Sequence, residues 1–345
     1  MEGSKTFNVA IVGATGAVGA QMLKVLEERD FPIKQLIPLA SARSAGKTIT
    51  FKGKEITIKE TTPEAFKGVD IALFSAGGSI SKTFAHEAVK RGALVIDNTS
   101  AFRMDPDVPL VVPEVNAAEI SNHKGIIANP NCSTIQMVVA LQPVKIEYGI
   151  KRIVVSTYQA VSGAGYAAMK ELREQSQAIL DDKPFTPKSL PVASEEKKYQ
   201  IAFNVIPQLD VFQENGYTFE EMKMINETKK IMNDQDMEIA VTCVRVPVFT
   251  GHSESIYVEV EKEISNVQEV REILEKAPGV VVKDDPKEQV YPLPIDCAGC
   301  PDVYVGRIRK DLNYSHGLHL WVVSCNLLKG AAFNSIQIAE AYIKQ

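Results

Sequence analysis

"FNVAIVGATGAVGAQMLKVLEER", residues 7–29, decides the fold. Residues 7–12 form a near-continuous apolar run, the pattern of a central parallel strand buried on both faces. Gly13, Gly16 and Gly19 follow in G-x-x-G-x-x-G spacing, and Leu23 and Leu26 then fall on a helical period. A strand, a glycine turn and a helix start together make an anion site, because free backbone N–H groups and the helix dipole point at one place. The expectation is a Rossmann-like, doubly wound dinucleotide-binding domain, with Gly13, Thr15, Gly16, Ala17 and Val18 around the phosphates.

The next strand, at about 34–40, distinguishes the two nicotinamide cofactors. An NAD site usually carries a carboxylate at the end of this strand for the ribose 2′-hydroxyl. Here Ser41, Arg43, Ser44 and Lys47 stand there instead, hydroxyls and cations that suit a 2′-phosphate, so NADP is favoured over NAD. "SARSAGKT" nearly matches a phosphate-binding P-loop, but Ser41 occupies its first glycine position. Residues 69–92 repeat the strand–turn–helix plan: Val69–Phe74 as strand, Ser75 and Gly77 in the turn facing the cofactor, and Gly92 as helix stop. "ALVIDNTSAF" is a further strand ending in Asp97, Asn98, Thr99 and Ser100, where ligands sit in open parallel sheets. "SISK" resembles a serine-acylation motif whose partner motifs are absent, and reads as a helix start.

The chain has 345 residues, enough for two domains, and a net charge of −5, which gives no reason to expect nucleic acid or anionic membrane as a partner. No apolar run has membrane-spanning length, and the N-terminus lacks the pattern of a signal peptide, so a cytoplasmic location is expected. Five scattered cysteines make no disulfide framework. Cys297 and Cys300 form C-A-G-C, but the two further ligands of a structural zinc site are missing, so no metal is expected.

"NPNCSTIQM", residues 129–137, places Cys132 at the start of a segment whose Ile135, Val138, Val139, Leu141 and Val144 mark a buried helix. A thiol at a helix N-terminus has its thiolate stabilised by the dipole, which makes it a usable nucleophile at neutral pH. From about residue 132 the pattern shifts to longer strands, with "EIAVTCVRV" and "SIYVEVEKEI" alternating as in a sheet with one wet face, and "DVYVGRIRK" and "GLHLWVVSCN" extending it. Helices are expected at about 164–180, 218–232 and 266–275, the second opened by the capping box Thr218-x-x-Glu221. Residues 181–200, rich in proline and charge, read as a loop excursion. The expected organisation is residues 1–131 for NADP, an α+β catalytic and dimerisation domain with a mainly antiparallel sheet in 132–325, and a helical segment, 326–345.

At this point the residues carry a family resemblance. "GATGAVG", "SAGGS", "DNTSAFR", "VPEVN", "NPNCST", "YQAVSGAG", "RVPVFTGHSES" and "VGRIRKD" stand in the order found in aspartate-semialdehyde dehydrogenases, from about residue 8 to the C-terminus. The resemblance implies NADP-dependent interconversion of L-aspartate 4-semialdehyde plus phosphate with L-aspartyl 4-phosphate, in lysine, diaminopimelate, threonine and methionine biosynthesis. It implies Cys132 as the nucleophile that becomes thioacylated, His252 as acid/base with a pKa suited to neutral pH, and Gln159 as the residue that orients the intermediate. It implies Arg245 for the substrate carboxylate, Glu220 for its ammonium group, Asn131 beside the cysteine as a further substrate-site residue, and Arg103 and Lys223 for phosphate, with Asn98 and Ser100 near Arg103 in sequence. Lys223 also fits an exposed position on its helix. Ser162, Gly163 and Asn326 are expected at the cofactor, the C-terminal helix is expected to return to the nucleotide domain, and a homodimer is expected.

The nearest enzymatic alternative is an N-acetylglutamyl-phosphate reductase, where glycine rather than Asn131 would be expected before the cysteine. A non-catalytic NADP sensor should have lost part of the reactive set, yet Cys132, Gln159, Arg245 and His252 are all present.

Overall fold

The computed structural model describes residues 5–345. Two compact units emerge: the chain up to Asn131 together with Ala331–Gln345, and Cys132–Gly330.

The first unit contains β1 (Phe7–Val12), β2 (Ile33–Ala40), β3 (Thr48–Phe51), β4 (Lys54–Thr57), β5 (Lys59–Glu60), β6 (Ile71–Phe74), β7 (Leu94–Asp97) and β8 (Ile126–Ala128). Helix α1 (Ala17–Glu28) joins β1 to β2, α2 (Gly78–Lys90) joins β6 to β7, and a single turn, α3 (Pro113–Asn116), precedes β8. Six strands make one parallel sheet in the order β5-β2-β1-β6-β7-β8, while β3 and β4 pair as a separate hairpin. The apolar run of β1 is buried on both faces, as the lack of alternation in its sequence requires. From β1 the chain runs outward to β2, then returns to β6 on the other side of β1. Strand order therefore reverses between β1 and β6, and ligands of such sheets bind at the carboxyl ends of those two strands.

Gly13 and Ser75 occupy those ends. Gly13 has φ +93°, and a Cβ there would come within 3.0 Å of the Ser75 backbone. At Gly19 a Cβ would lie 2.2 Å from the Gly13 carbonyl oxygen, so any side chain would push α1 off its turn.

The second unit opens with α4 (Cys132–Tyr148) and holds β9 (Ile150–Gln159), α5 (Tyr166–Leu180), α6 (Phe219–Ile231), β10 (Glu238–Arg245), β11 (His252–Val260), α7 (Val267–Glu275), β12 (Val280–Val282), the single turn α8 (Pro294–Cys297), β13 (Val303–Lys310) and β14 (Gly317–Ser324). The sheet order is β10-β9-β11-β14-β13-β12. Its three central pairings are antiparallel and its two outer ones, β10–β9 and β12–β13, parallel. Helices α4, α6 and α7 cover one face. Alternation along β9 and β11 sends Ile153, Val155, Thr157, Gln159, His252, Glu254, Ile256 and Val258 under those helices. The other face presents Val154, Tyr158, Tyr257, His319 and Trp321, with Val154 and Tyr158 exposed and the Tyr158 and Trp321 rings 5.6 Å apart. Residues 181–200 are irregular, as their composition predicts.

The chain ends in α9 (Phe333–Ile343), which packs in the first unit against α1. Arg29, just past α1, donates from Nε and Nη2 to the two carboxylate oxygens of Glu340 in α9.

Candidate active site

Cys132 is the first residue of α4. The helix is apolar almost all round, with Ile135, Met137, Val138, Val139, Leu141 and Val144 buried, so the core holds it and its first turn has a defined place. Gly330 closes on the thiol residue: a Cβ at 330 would lie 2.7 Å from the Cys132 Cβ.

Three neighbouring strands of the second unit end or begin beside one another on the helix-covered face. Arg245 closes β10, Gln159 closes β9 and His252 opens β11. Arg245 and Gln159 are register partners, and Gln159 Nε2 lies 3.5 Å from His252 Nε2. Thr157, two residues back along β9, donates from Oγ1 to Gln159 Oε1 at 3.0 Å. That bond turns the amide so that Nε2 donates to Glu220 Oε1 at 3.1 Å.

Glu220 arrives on the first turn of α6, which the capping box sets: Thr218 Oγ1 accepts from the Glu221 amide, and Glu221 Oε2 accepts from the Thr218 amide. One turn on, Lys223 donates to Glu220 Oε2 at 3.2 Å and to Asp210 Oδ2 at 2.8 Å, with its ammonium 4.6 Å above the Phe219 ring. Lys223 is thus drawn into the cluster by two carboxylates, and the exposed reading of that helix position does not hold.

Arg245 is buried and donates from Nη1 to the Ala160 carbonyl oxygen at 2.7 Å, while Nε meets no hydrogen-bond partner among the described residues. Burial pushes its pKa down, opposed by Glu220 and by the thiolate of Cys132. Guanidinium and thiolate therefore stabilise one another.

His252 is fully buried, and its pKa is pushed down to about 3, first by burial and then by Arg245, with Glu220 opposing. The expectation of a histidine titrating near neutrality is corrected accordingly: desolvation beside a guanidinium keeps the ring neutral throughout the physiological range. The Ala160 amide donates to Nδ1 at 3.0 Å, which assigns the single ring proton to Nε2. Gly163 lies against this pair, since a Cβ there would meet Arg245 Nη1 at 3.1 Å and His252 Cε1 at 3.4 Å. Ser162 and Asn326 bond to each other, and Asn326 Oδ1 accepts from the Gly251 amide.

Within the first unit, Asn98, Ser100 and Arg103 form a group of their own beyond β7. Arg103 donates from Nη2 to the Asn98 carbonyl at 2.7 Å and from Nε to the Asn129 carbonyl at 3.0 Å. The Asn98 side chain accepts from Ser335 Oγ of α9, and Ser100 is exposed. Asn131 is buried next to Cys132 in sequence. Ser41 and Arg43 are exposed at the carboxyl end of β2, and Gly77, with φ +96°, stands before α2. In the first turn of α1, the amides of Ala17 and Val18 have no intrahelical acceptor, and Gly16 supplies no side-chain cap.

Two family models match the chain: the NAD-binding domain of semialdehyde dehydrogenases over residues 8–123, and their dimerisation domain over residues 141–329. The chain belongs to the aspartate-semialdehyde dehydrogenase family. Within that family it is 62% identical to the aspartate-semialdehyde dehydrogenase of Bacillus subtilis over 98% of this chain and 97% of the relative. Identity to that of Aquifex aeolicus is 58%, over 98% of each. Among solved structures, aspartate-semialdehyde dehydrogenase II of Vibrio cholerae, complexed with ASA, matches with TM-score 0.93 and 48% identity over 99% of both chains. The Candida albicans family member, solved with NADP, matches with TM-score 0.74 and 26% identity over 98% of this chain and 99% of that one.

Three residues of this family member's site escape sequence reading. Thr157 could have been found two positions before Gln159 on the strand's alternation. Asp210 and Gly330 carry no local signal, because their partners are 13 and 198 residues away in the chain.

Proposed function

We propose that the protein interconverts L-aspartate 4-semialdehyde plus phosphate with L-aspartyl 4-phosphate, using NADP and a thioacyl intermediate on Cys132, within the biosynthesis of lysine, diaminopimelate, threonine and methionine. The observation that carries this reading is the convergence of Gln159, Glu220, Arg245 and His252 with the thiol at the start of α4, in a chain whose full-length relatives bear the corresponding name.

In the oxidative direction the Cys132 thiolate, favoured by the helix dipole and Arg245, attacks the aldehyde carbon. The carbonyl oxygen then gathers negative charge. His252, neutral and protonated at Nε2, serves there as a hydrogen-bond donor rather than as a titrating base. The Gln159 amide, held by Thr157, limits the positions the adduct can take. Arg245 offers Nε and its remaining fork to the substrate carboxylate. Glu220 suits the ammonium group, and Lys223 and Arg103 suit phosphate, which displaces the acyl group from sulfur.

NADP, when bound, supplies the hydride acceptor. The first unit fits it: the glycine turn where a Cβ would clash, the open amides of Ala17 and Val18, and Ser41, Arg43 and Ser44 with no carboxylate between 41 and 47. Thr15, Ser75 and Gly77 complete that assignment, and Ser162, Gly163 and Asn326 are assigned to the nicotinamide end. A homodimer is part of the reading. The aromatic open face of the second unit's sheet is a surface a second copy would cover, and the matching family model is described as a dimerisation domain. A cytoplasmic location is proposed with it; no helix among the described residues is long and apolar enough to cross a membrane.

The test is nicotinamide absorbance with L-aspartate 4-semialdehyde and NADP. Sustained growth of NADPH, beyond a single turnover, only when phosphate is present supports the reading. Turnover with N-acetylglutamate semialdehyde instead would move the protein to the sister reaction, and NADP binding without turnover of either aldehyde would leave a sensor.

A further inference from the structure

Behind the reaction centre lies a second rung of the same sheet. Two residues below Arg245, Gln159 and His252 stand Cys243, Thr157 and Glu254, register partners across β10, β9 and β11. Glu254 is completely buried, and neither carboxyl oxygen reaches a partner at hydrogen-bonding distance and angle. Opposite it stands Gln136 of α4, also buried, with neither amide atom partnered by the same measure. Of the polar groups around Glu254, Gln136 is the one near enough to favour its carboxylate. Terminal torsions of both side chains are broad, which leaves each free to turn toward the other. Buried polar groups left open are costly, which argues that they close on each other.

Their position gives them a task. Gln136 is four residues along α4 from Cys132, about 6 Å deeper on the same helix face. Glu254 is two residues along β11 from His252, roughly 6.6 Å deeper on the same strand face. The pair thus repeats the Cys132–His252 pair one step inside, between the same two elements.

We propose that Glu254 and Gln136 are a positioning pair for the proposed reaction: a carboxylic acid and an amide, hydrogen-bonded to each other, that hold the first turn of α4 against β11 and so set the thiol relative to the imidazole. The inference rests on the function proposed above. Burial keeps the Glu254 proton on the acid well above the usual carboxylate range. The neutral form matters, because a carboxylate there would stand behind the thiolate and oppose it. Facing Glu254 across β9 is Cys243 of β10, whose thiol is pushed up by burial and then by Glu220, with Glu221 and Glu254 adding to the effect. From β14 the register partner is Val322, which does not titrate.

The test uses Gln136→Met and Glu254→Gln in the full-length protein. The readouts are kcat and KM for the semialdehyde, and the pH dependence of iodoacetamide alkylation at Cys132. Glu254→Gln keeps a neutral partner for Gln136; the expected result is kcat within about threefold of wild type and an unchanged alkylation midpoint. Gln136→Met strands the acid; the expected result is a fall in kcat of roughly tenfold or more at unchanged KM, with slower alkylation. Wild-type kcat and alkylation in Gln136→Met would overturn the proposal. An alkylation midpoint moved to lower pH in Glu254→Gln would also overturn it, by showing that a buried negative charge had been removed. Should the wild type turn over no aldehyde, the function fails, while the alkylation profiles still read the pair.

Discussion

A buried imidazole beside a guanidinium gives up its proton, and His252 is in that position. Its folded pKa of about 3 lies below the ordinary 6.5, so the unfolded chain takes up a proton first as pH falls. Stability from this residue is complete above about 6.5 and is lost as pH falls toward 3, by up to about 1.4 kcal/mol per pH unit. The difference in unfolding free energy between wild type and His252→Asn should therefore be flat above pH 6.5 and shrink below it; a constant difference down to pH 4 would refute the assignment. Glu254 behaves in the opposite sense. Its raised pKa makes its contribution full below the ordinary carboxylate range and lost as pH rises, so Glu254→Gln should melt above wild type at pH 8 and with it at pH 4.5. Gly330 presents a steric case: Gly330→Ala should lower kcat by at least tenfold with cofactor affinity unchanged, because the new methyl and the Cys132 Cβ cannot coexist at 2.7 Å. The motifs around Cys132 and His252 were legible in the sequence. The ionisation state of His252 was not, since it depends on burial and on Arg245, which stands on a different strand.

At the level of elements, the strongest local signals became the elements they describe. The glycine turn between β1 and α1 and the capping box of α6 are both read within a few residues of chain, and both are closed by groups of that same stretch. The first is closed by the Gly16 amide on the Gly13 carbonyl, the second by the Thr218 and Glu221 side chains on each other's amides. In the proposed function the α6 cap has weight, because it fixes the turn that presents Glu220 and Lys223. Thr218→Ala should cost about 1 kcal/mol, roughly 2–4 °C in melting temperature, and raise KM for the semialdehyde more than it lowers kcat. Equal stability and kinetics would show that α6 is held by packing alone. What the strand patterns did not reveal was the edge pairing. β10 and β12 lie parallel to their neighbours, and direction depends on crossovers through α6 and α7 that no strand's own alternation records.

For the whole molecule, the proposed division of labour is chemical: one unit has the glycine turn and the Ser41–Lys47 loop assigned to NADP, the other the Cys132 thiol with its electrostatic partners. The two-part organisation was legible because the hydrophobic period changes character near Cys132. The exposed apolar face proposed for a second copy was not, since Val154, Tyr158 and Trp321 look like ordinary strand residues until the register puts them on one face. Tyr158→Glu should weaken self-association by tenfold or more in sedimentation while leaving the monomer folded; an unchanged sedimentation coefficient at all concentrations would place the second copy elsewhere.

The central claim is a covalent one, that the acyl group passes through Cys132. The most direct measurement is the intact mass of the protein after incubation with L-aspartate 4-semialdehyde and NADP in phosphate-free buffer, followed by peptide mapping. The account predicts one aspartyl acyl group added at Cys132, removed when phosphate is supplied, and absent from Cys132→Ala despite retained NADP binding. NADPH formation with no acyl adduct on Cys132, or full turnover by Cys132→Ala, would contradict it.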